Sequence, residues 1–313
     1  MTIRLFCLIF TFGLLSDASL LFAADDPLHS GATATINLLM ARAVATNIIS
    51  GGVVVIGNHD GILSITANGS LAARPGAPLL NEHTIFDIAS LTKVIATAPA
   101  VMKLLDEGRI SLQDPLIRWF PEFKGSEHEN TTILNLLTHS SGLSDFMLST
   151  GSTMKTAIHK AAAEKNGQLQ GSSFNYADIN FILLGELVLR VSGKTLDRYC
   201  REELFEPLDA HETMFLPPLG LSDCIAPTLG HSSGTVQDRN ARCLGSVAGH
   251  AGLFSSAFDL ARFARMMLGG GMIDGRRILS EQTVNRMTTP NYFSKGAVVR
   301  GLGWDIESRL SAP

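Results

Sequence analysis

Phe86-Asp87-Ile88-Ala89-Ser90-Leu91-Thr92-Lys93 is the stretch on which the reading of this 313-residue chain turns. Thr84 to Ala89 has the character of an extended segment, and a helix is expected from Ser90 to Glu107, closed by Gly108. That helix is apolar nearly all round, through Val94, Ile95, Ala98, Val101, Met102, Leu104 and Leu105, a pattern that requires burial. Pro99 deletes one backbone donor and predicts a kink. Ser90 and Lys93 stand three apart, so they are neighbours on one helix face. Burial disfavours the charged lysine, and a neutral amine can take a serine proton. Ser90 is therefore a candidate nucleophile, with Lys93 as its activator.

Chance is a serious rival, since serine and lysine are common enough to give about one S-x-x-K in a chain this long. A second one is present at Ser152-Thr153-Met154-Lys155. Context separates them, because Ser152 opens an amphipathic, surface-type helix that would not desolvate its lysine. Gly230-His231-Ser232-Ser233-Gly234 matches the G-x-S-x-G elbow of α/β-hydrolases. That elbow needs a buried strand before it and a helix after it. Pro227 and Leu229 precede this one and Thr235-Val236-Gln237-Asp238 follow, so it is read as a glycine-rich loop.

Working outward, Ala32 to Thr46 has a helical pattern with Ser30 as a cap and Gly51-Gly52 as a stop. Val53–Ile56 and Ile62–Ala67 flank Asn58-His59-Asp60-Gly61, a hairpin signal. Helices are expected at Thr132–Leu137, Thr153–Glu164, Ala177–Val191 and Thr195–Leu204. An irregular Gly/Pro-rich stretch follows from Pro217 to Gly252. A last amphipathic helix runs from Ala257 to Leu268, capped by Ser255 or Ser256. Early strands, central helices and Gly303-Trp304-Asp305-Ile306 near the end suggest one α/β (α+β) unit with a helical insertion.

Hydrophobic residues make up 45% and charged residues 17% of the chain, which excludes a disordered polymer. The net charge of −4 and the lack of a basic run recommend neither nucleic acid nor an anionic membrane surface as a partner. Residues 1–24 read as a signal peptide: Arg4, an apolar run from Leu5 to Leu15, and Ala23-Ala24 before Asp25-Asp26. Asp17 leaves the segment short of a comfortable membrane span. The expectation is a secreted or periplasmic protein, with no stable membrane insertion once the segment is removed. Cys200 is read as buried, while Cys224 and Cys243 are a possible pair in an oxidising compartment. No Cys/His spacing resembles a metal site, and neither metal nor cofactor is implied.

The chain resembles the class C β-lactamase-related serine hydrolases, a group of D-alanyl-D-alanine peptidases, β-lactamases and esterases. Phe86 to Lys93 is similar to their nucleophile signature. The likeness continues through Asp106 to Pro115, Leu136-Leu137-Thr138-His139-Ser140-Ser141-Gly142-Leu143, and Phe174-Asn175-Tyr176-Ala177-Asp178-Ile179-Asn180-Phe181. Val247-Ala248-Gly249-His250-Ala251-Gly252-Leu253-Phe254-Ser255 is similar to a loop of penicillin-binding-protein-like members. The resemblance implies an antiparallel sheet flanked by helices, as in β-lactamases and transpeptidases. It also implies that Tyr176 is the second catalytic residue, although a tyrosine just before a helix is otherwise more often a packing residue.

Asp178 departs from the commoner Tyr-x-Asn pattern. An ionised carboxylate only accepts hydrogen bonds, and it would repel an anionic substrate unless Lys93 stays protonated beside it. The change tilts the reading towards an esterase or peptidase, with Asp178 on the substrate side; its plainer role is a favourable charge at a helix N-terminus. His139 is read as a hydrogen-bonded structural residue. His250-Ala251-Gly252 superficially fits the family's Lys/His-x-Gly motif, so His250 is placed near the substrate without a proton-transfer role.

The implied reaction is acyl transfer: Ser90 attacks a peptide, β-lactam or ester carbonyl, and water releases the acyl group. The Ser90 amide, at a helix N-terminus, is expected to supply half of an oxyanion hole. The substrate is a small molecule or a peptidoglycan peptide. The alternatives are a penicillin-binding sensor that acylates once, and a pseudoenzyme that only holds cell-wall peptides. In the resembling family, a strand bearing Lys/His-x-Gly follows the Gly-Leu-Gly-Trp stretch. Here Gly301-Leu302-Gly303-Trp304 is followed by nine residues, so the 25–313 domain is expected to lack its C-terminal strands.

Overall fold

The computed structural model describes residues 30–165, 168–294 and 298–307, so the signal-peptide segment lies outside the described residues. Helix α1 (Ser30–Ala45) precedes a hairpin of β1 (Gly51–Gly57) and β2 (Ile62–Gly69). The pair is antiparallel, with Val53 opposite Ala67 and Val55 opposite Ile65. Asn58 makes the turn, its side-chain oxygen accepting from the amides of Asp60 at 2.9 Å and Gly61 at 3.1 Å.

Strand β3 (Ile85–Asp87) leads into the segment that decides the site. The continuous α-helix expected from Ser90 is not formed. Ala89–Leu91 is a 3₁₀ turn, Lys93–Thr97 a π-helical turn, and only Ala98–Asp106 is α-helix, here α2. The π turn widens the helix at Lys93, a device frequent at functional sites. Pro99 lies in the first turn of α2. The donor that proline lacks thus falls where the helix changes its hydrogen-bond spacing.

The helical part continues with α3 (Leu116–Trp119), α4 (Ile133–Leu137), α5 (Met154–Ala162), α6 (Asp178–Ser192) and α7 (Leu196–Cys200), which runs on as a π turn over Arg201–Phe205. Thr132 and Thr153 start their helices through reciprocal capping boxes. Helix α6 is the spine of the core and packs on α2 and α4. Phe181, Leu183, Leu184 and Val188 are fully buried. Burying each such side chain is worth roughly 1.5–3 kcal/mol, so the helix is anchored by its own apolar surface. Gly193 ends it in the left-handed conformation that suits glycine (φ 76°).

The chain then forms β4 (Met214–Phe215), α8 (Arg239–Cys243), β5 (Leu253–Ser256) and α9 (Ala257–Leu268), the last capped by Ser256. It continues through β6 (Met272–Ile273), β7 (Arg276–Arg277), α10 (Glu281–Thr288), β8 (Tyr292–Ser294), β9 (Val298–Arg300) and β10 (Asp305–Glu307). Among the described residues every ladder is antiparallel, in the orders β1-β2, β3-β5-β4, β6-β7 and β10-β9-β8. Strand β5 is central to the second and wholly buried, and it aligns Asp87 with Phe254. Cys200 is buried as read, and Cys224 and Cys243 are both free, so that pair does not form. No described helix is long and apolar enough to cross a membrane.

Candidate active site

Ser90 sits on the exposed side of a strained corner. Ala89 adopts φ 47°, a left-handed conformation that costs a residue with a Cβ roughly 1–2 kcal/mol. Two side chains hold it there: Asp87 Oδ1 accepts the Ala89 amide at 2.8 Å, and Thr92 Oγ1 donates to the Ala89 carbonyl at 2.7 Å. Asp87 Oδ2 also accepts the amide of Gln237 at 2.7 Å, tying the corner to the distant loop before α8. Burial outweighs these amide bonds and raises the Asp87 carboxyl above its ordinary value.

Lys93 is 3% exposed and its ammonium meets three acceptors. It donates to Ser90 Oγ at 3.1 Å and to the His250 carbonyl at 3.0 Å, and it lies 2.7 Å from Asp178 Oδ1. Thr97, in the same π turn as Lys93, donates to the Gly249 carbonyl at 2.7 Å. The lysine three residues after Ser90 is thus buried, with Ser90 Oγ, the His250 carbonyl and Asp178 around its nitrogen.

Tyr176 stands at the mouth, 39% exposed, with Lys93 Nζ 5.0 Å from its ring centre. Asp178, two residues on, starts α6 beside Lys93, so its carboxylate faces the lysine. His250 enters by its backbone. Its side chain is 1% exposed and turned to Asp238 Oδ1 at 2.8 Å, not to open solvent. Asp238 in turn caps α8 through the Ala241 amide at 2.7 Å. Burial pushes the Asp238 carboxyl up, but the His250 ring, the Ala241 amide and the Lys93 charge prevail and hold it below its ordinary value. Ligand atoms of Asp178, Asp238 and His250 lie within 4.8 Å of one another. A divalent ion there would face the Lys93 ammonium, which already supplies positive charge to Asp178, so the cluster fits a lysine better than a metal.

Asp87 and Asp238 were not read from the sequence as site residues. A capping signal was available for Asp238, which precedes a short helix. Lys155 is exposed, and Ser232 lies exposed in an irregular stretch without flanking strand or helix.

The family model described as Beta-lactamase matches residues 36–312. The chain belongs to the beta-lactamase family. A relative from Escherichia coli (strain K12) that carries the name D-alanyl-D-alanine carboxypeptidase is 31% identical over 265 residues, covering 73% of this chain and 60% of the relative. A relative of the same name from Salmonella agona (strain SL483) is 28% identical, covering 74% and 61%. The chain thus spans about 60% of the length of the curated relatives it matches. Among solved structures, a class C beta-lactamase superposes with a TM-score of 0.75 at 21% identity, over 87% of this chain and 74% of its own. The octameric penicillin-binding protein homologue from Pyrococcus abyssi gives 0.73 at 23%, over 88% and 64%. These likenesses show the beta-lactamase and transpeptidase fold.

Proposed function

We propose that this member of the beta-lactamase family is a serine hydrolase that transfers an acyl group to Ser90 and then to water, on a D-alanyl peptide or a small ester. The observation that carries the reading is the 3.1 Å hydrogen bond from buried Lys93 to exposed Ser90. Beside the Asp178 carboxylate at 2.7 Å, Lys93 is read as the ammonium, which has no lone pair to offer. In this reading Tyr176 therefore acts as the phenolate: its oxygen takes the Ser90 proton as Oγ attacks the carbonyl carbon, while Lys93 is the fixed positive charge beside the reacting oxygen. The carbonyl π pair moves onto oxygen, to which the Ser90 amide donates in this reading. The returning pair expels the leaving group, which takes the proton from Tyr176. Water then repeats the sequence on the acyl-enzyme with the same groups.

The names of the relatives make D-alanyl peptides the first substrate to try. Secretion or a periplasmic address suits such a substrate. The test is mass spectrometry of the full chain after incubation with a fluorescent penicillin and, separately, a fluorophosphonate. The adduct is expected on Ser90, with labelling abolished in Ser90→Ala and intact in Ser152→Ala and Ser232→Ala. Labelling that persists in Ser90→Ala would sink the proposal, and stoichiometric penicillin labelling without turnover would identify a sensor instead.

A further inference from the structure

The histidine of the Thr138-His139-Ser140-Ser141-Gly142 loop is wrapped by the segment that carries Tyr176. Its ring stacks on the Tyr176 ring, with centres 4.5 Å apart and planes at 27°. It meets Phe174 edge-on at 6.2 Å and Phe181 at 5.1 Å. Its carbonyl accepts the Asn175 amide at 2.8 Å. Its Nδ1 accepts the Ala177 amide at 3.2 Å and faces Asn180 Nδ2 at 3.1 Å. The residues on both sides of Tyr176 are thus bonded to one histidine, and the phenol lies on that histidine's face.

The tautomer follows from the same network. Asn180 is fully buried, and its Oδ1 is committed to the Ser141 hydroxyl at 2.5 Å. Its amide group therefore donates towards Nδ1, as the Ala177 amide does, and the imidazole hydrogen belongs on Nε2. His139 itself is held at φ 54°, a left-handed conformation that only a few per cent of non-glycine residues adopt. Strain of this kind persists where the surroundings over-determine it, and it clusters at functional sites.

We infer that His139 is a positioning residue: as a neutral platform with its Nδ1 lone pair facing the Ala177 amide, it fixes the Tyr176 phenol against Lys93 and Ser90. The inference rests on the acyl-transfer reading above and deepens it. A side chain that only filled core space would need neither the stack on a half-exposed ring nor the two convergent donors. Misplacing a reacting group by about 1 Å can cost on the order of 100-fold in rate, so the effect belongs in turnover and not in substrate affinity.

The experiment measures p-nitrophenyl acetate hydrolysis by the full chain as His139→Phe, which keeps a ring and loses the acceptor, and as His139→Asn, which tolerates the left-handed backbone and loses the ring. Each is expected to lower kcat by about 10- to 100-fold, with KM within about twofold. His139→Phe combined with Tyr176→Phe should lose no more than Tyr176→Phe alone. The Tyr176 ring protons, shielded by the stacked imidazole, should shift downfield in His139→Asn, a reading that does not depend on activity. Full kcat in the His139 variants while Tyr176→Phe is slow overturns this inference alone. So does complete additivity in the double variant, or an unmoved Tyr176 resonance. Unchanged turnover in Tyr176→Phe overturns the acyl-transfer reading and this inference with it.

Discussion

At position 93 the lysine's surroundings, more than its distance to serine, define the chemistry. Ser90 Oγ, the His250 carbonyl and Asp178 all converge on the ammonium. The carboxylate at 178 is the unusual member, for an asparagine there would leave the lysine charge uncompensated. Asp178→Asn should therefore favour an anionic penicillin over a neutral ester. The ratio of the two acylation rates on Ser90 is expected to rise by about tenfold, the factor that 1.4 kcal/mol of differential interaction supplies. Equal changes on both substrates would show that Asp178 does not act on substrate charge. Ser90 and Lys93 could be singled out by their spacing on an apolar helix, Tyr176 and Asp178 only through the family resemblance of the run around them. Asp87 and Asp238 were not, since their importance comes from bonds to residues 150 and 12 positions away.

Among the elements, α6 and the loop before β5 meet without side chains between them. A Cβ on Gly249 would collide with the Phe181 carbonyl and lie 2.9 Å from the Gly185 amide nitrogen. Backbone packed on backbone has no rotamer to adjust, so the loop must move if either glycine gains a methyl. Gly249→Ala should cost about 1–3 kcal/mol, the usual scale of overpacking. It should also slow fluorophosphonate labelling, because the shifted loop carries the His250 carbonyl that receives Lys93. Urea unfolding and labelling kinetics of the same preparation check both, and labelling at the native rate would refute the coupling. Helix positions were readable from apolar periodicity and caps, and α9 begins and ends where its pattern does. The 3₁₀ and π turns around Lys93 were not readable, because hydrogen-bond spacing leaves no trace in periodicity over so few residues.

For the molecule as a whole, burial of His139 ties stability to pH. Burial first, then the charges of Arg300 and Lys93, hold the ring well below the ordinary histidine value. The Tyr176 ring is stacked on it. In the unfolded chain the ring takes a proton near pH 6.5. Below about 6.5 the unfolded state thus binds a proton that the folded state refuses, and stability falls as pH falls, by up to about 1.4 kcal/mol per unit, until the folded value is reached. Above that window the contribution is constant. Urea midpoints at pH 7 and pH 5 should show the native chain losing more stability than His139→Asn, and equal losses would contradict the assignment. The family was legible from motifs in order along the chain, whereas the division of the strands into separate ladders depends on long-range pairing that no local pattern encodes. The distance spanned by one hydrogen bond also sets a schedule. Lys93 meets Ser90 within its own turn but reaches the His250 carbonyl across 157 residues. At the ordinary pace of translation, about 5–20 residues per second, the lysine is made ~8–30 s before that carbonyl. However quickly the first turn winds, the site comes into being only after that interval.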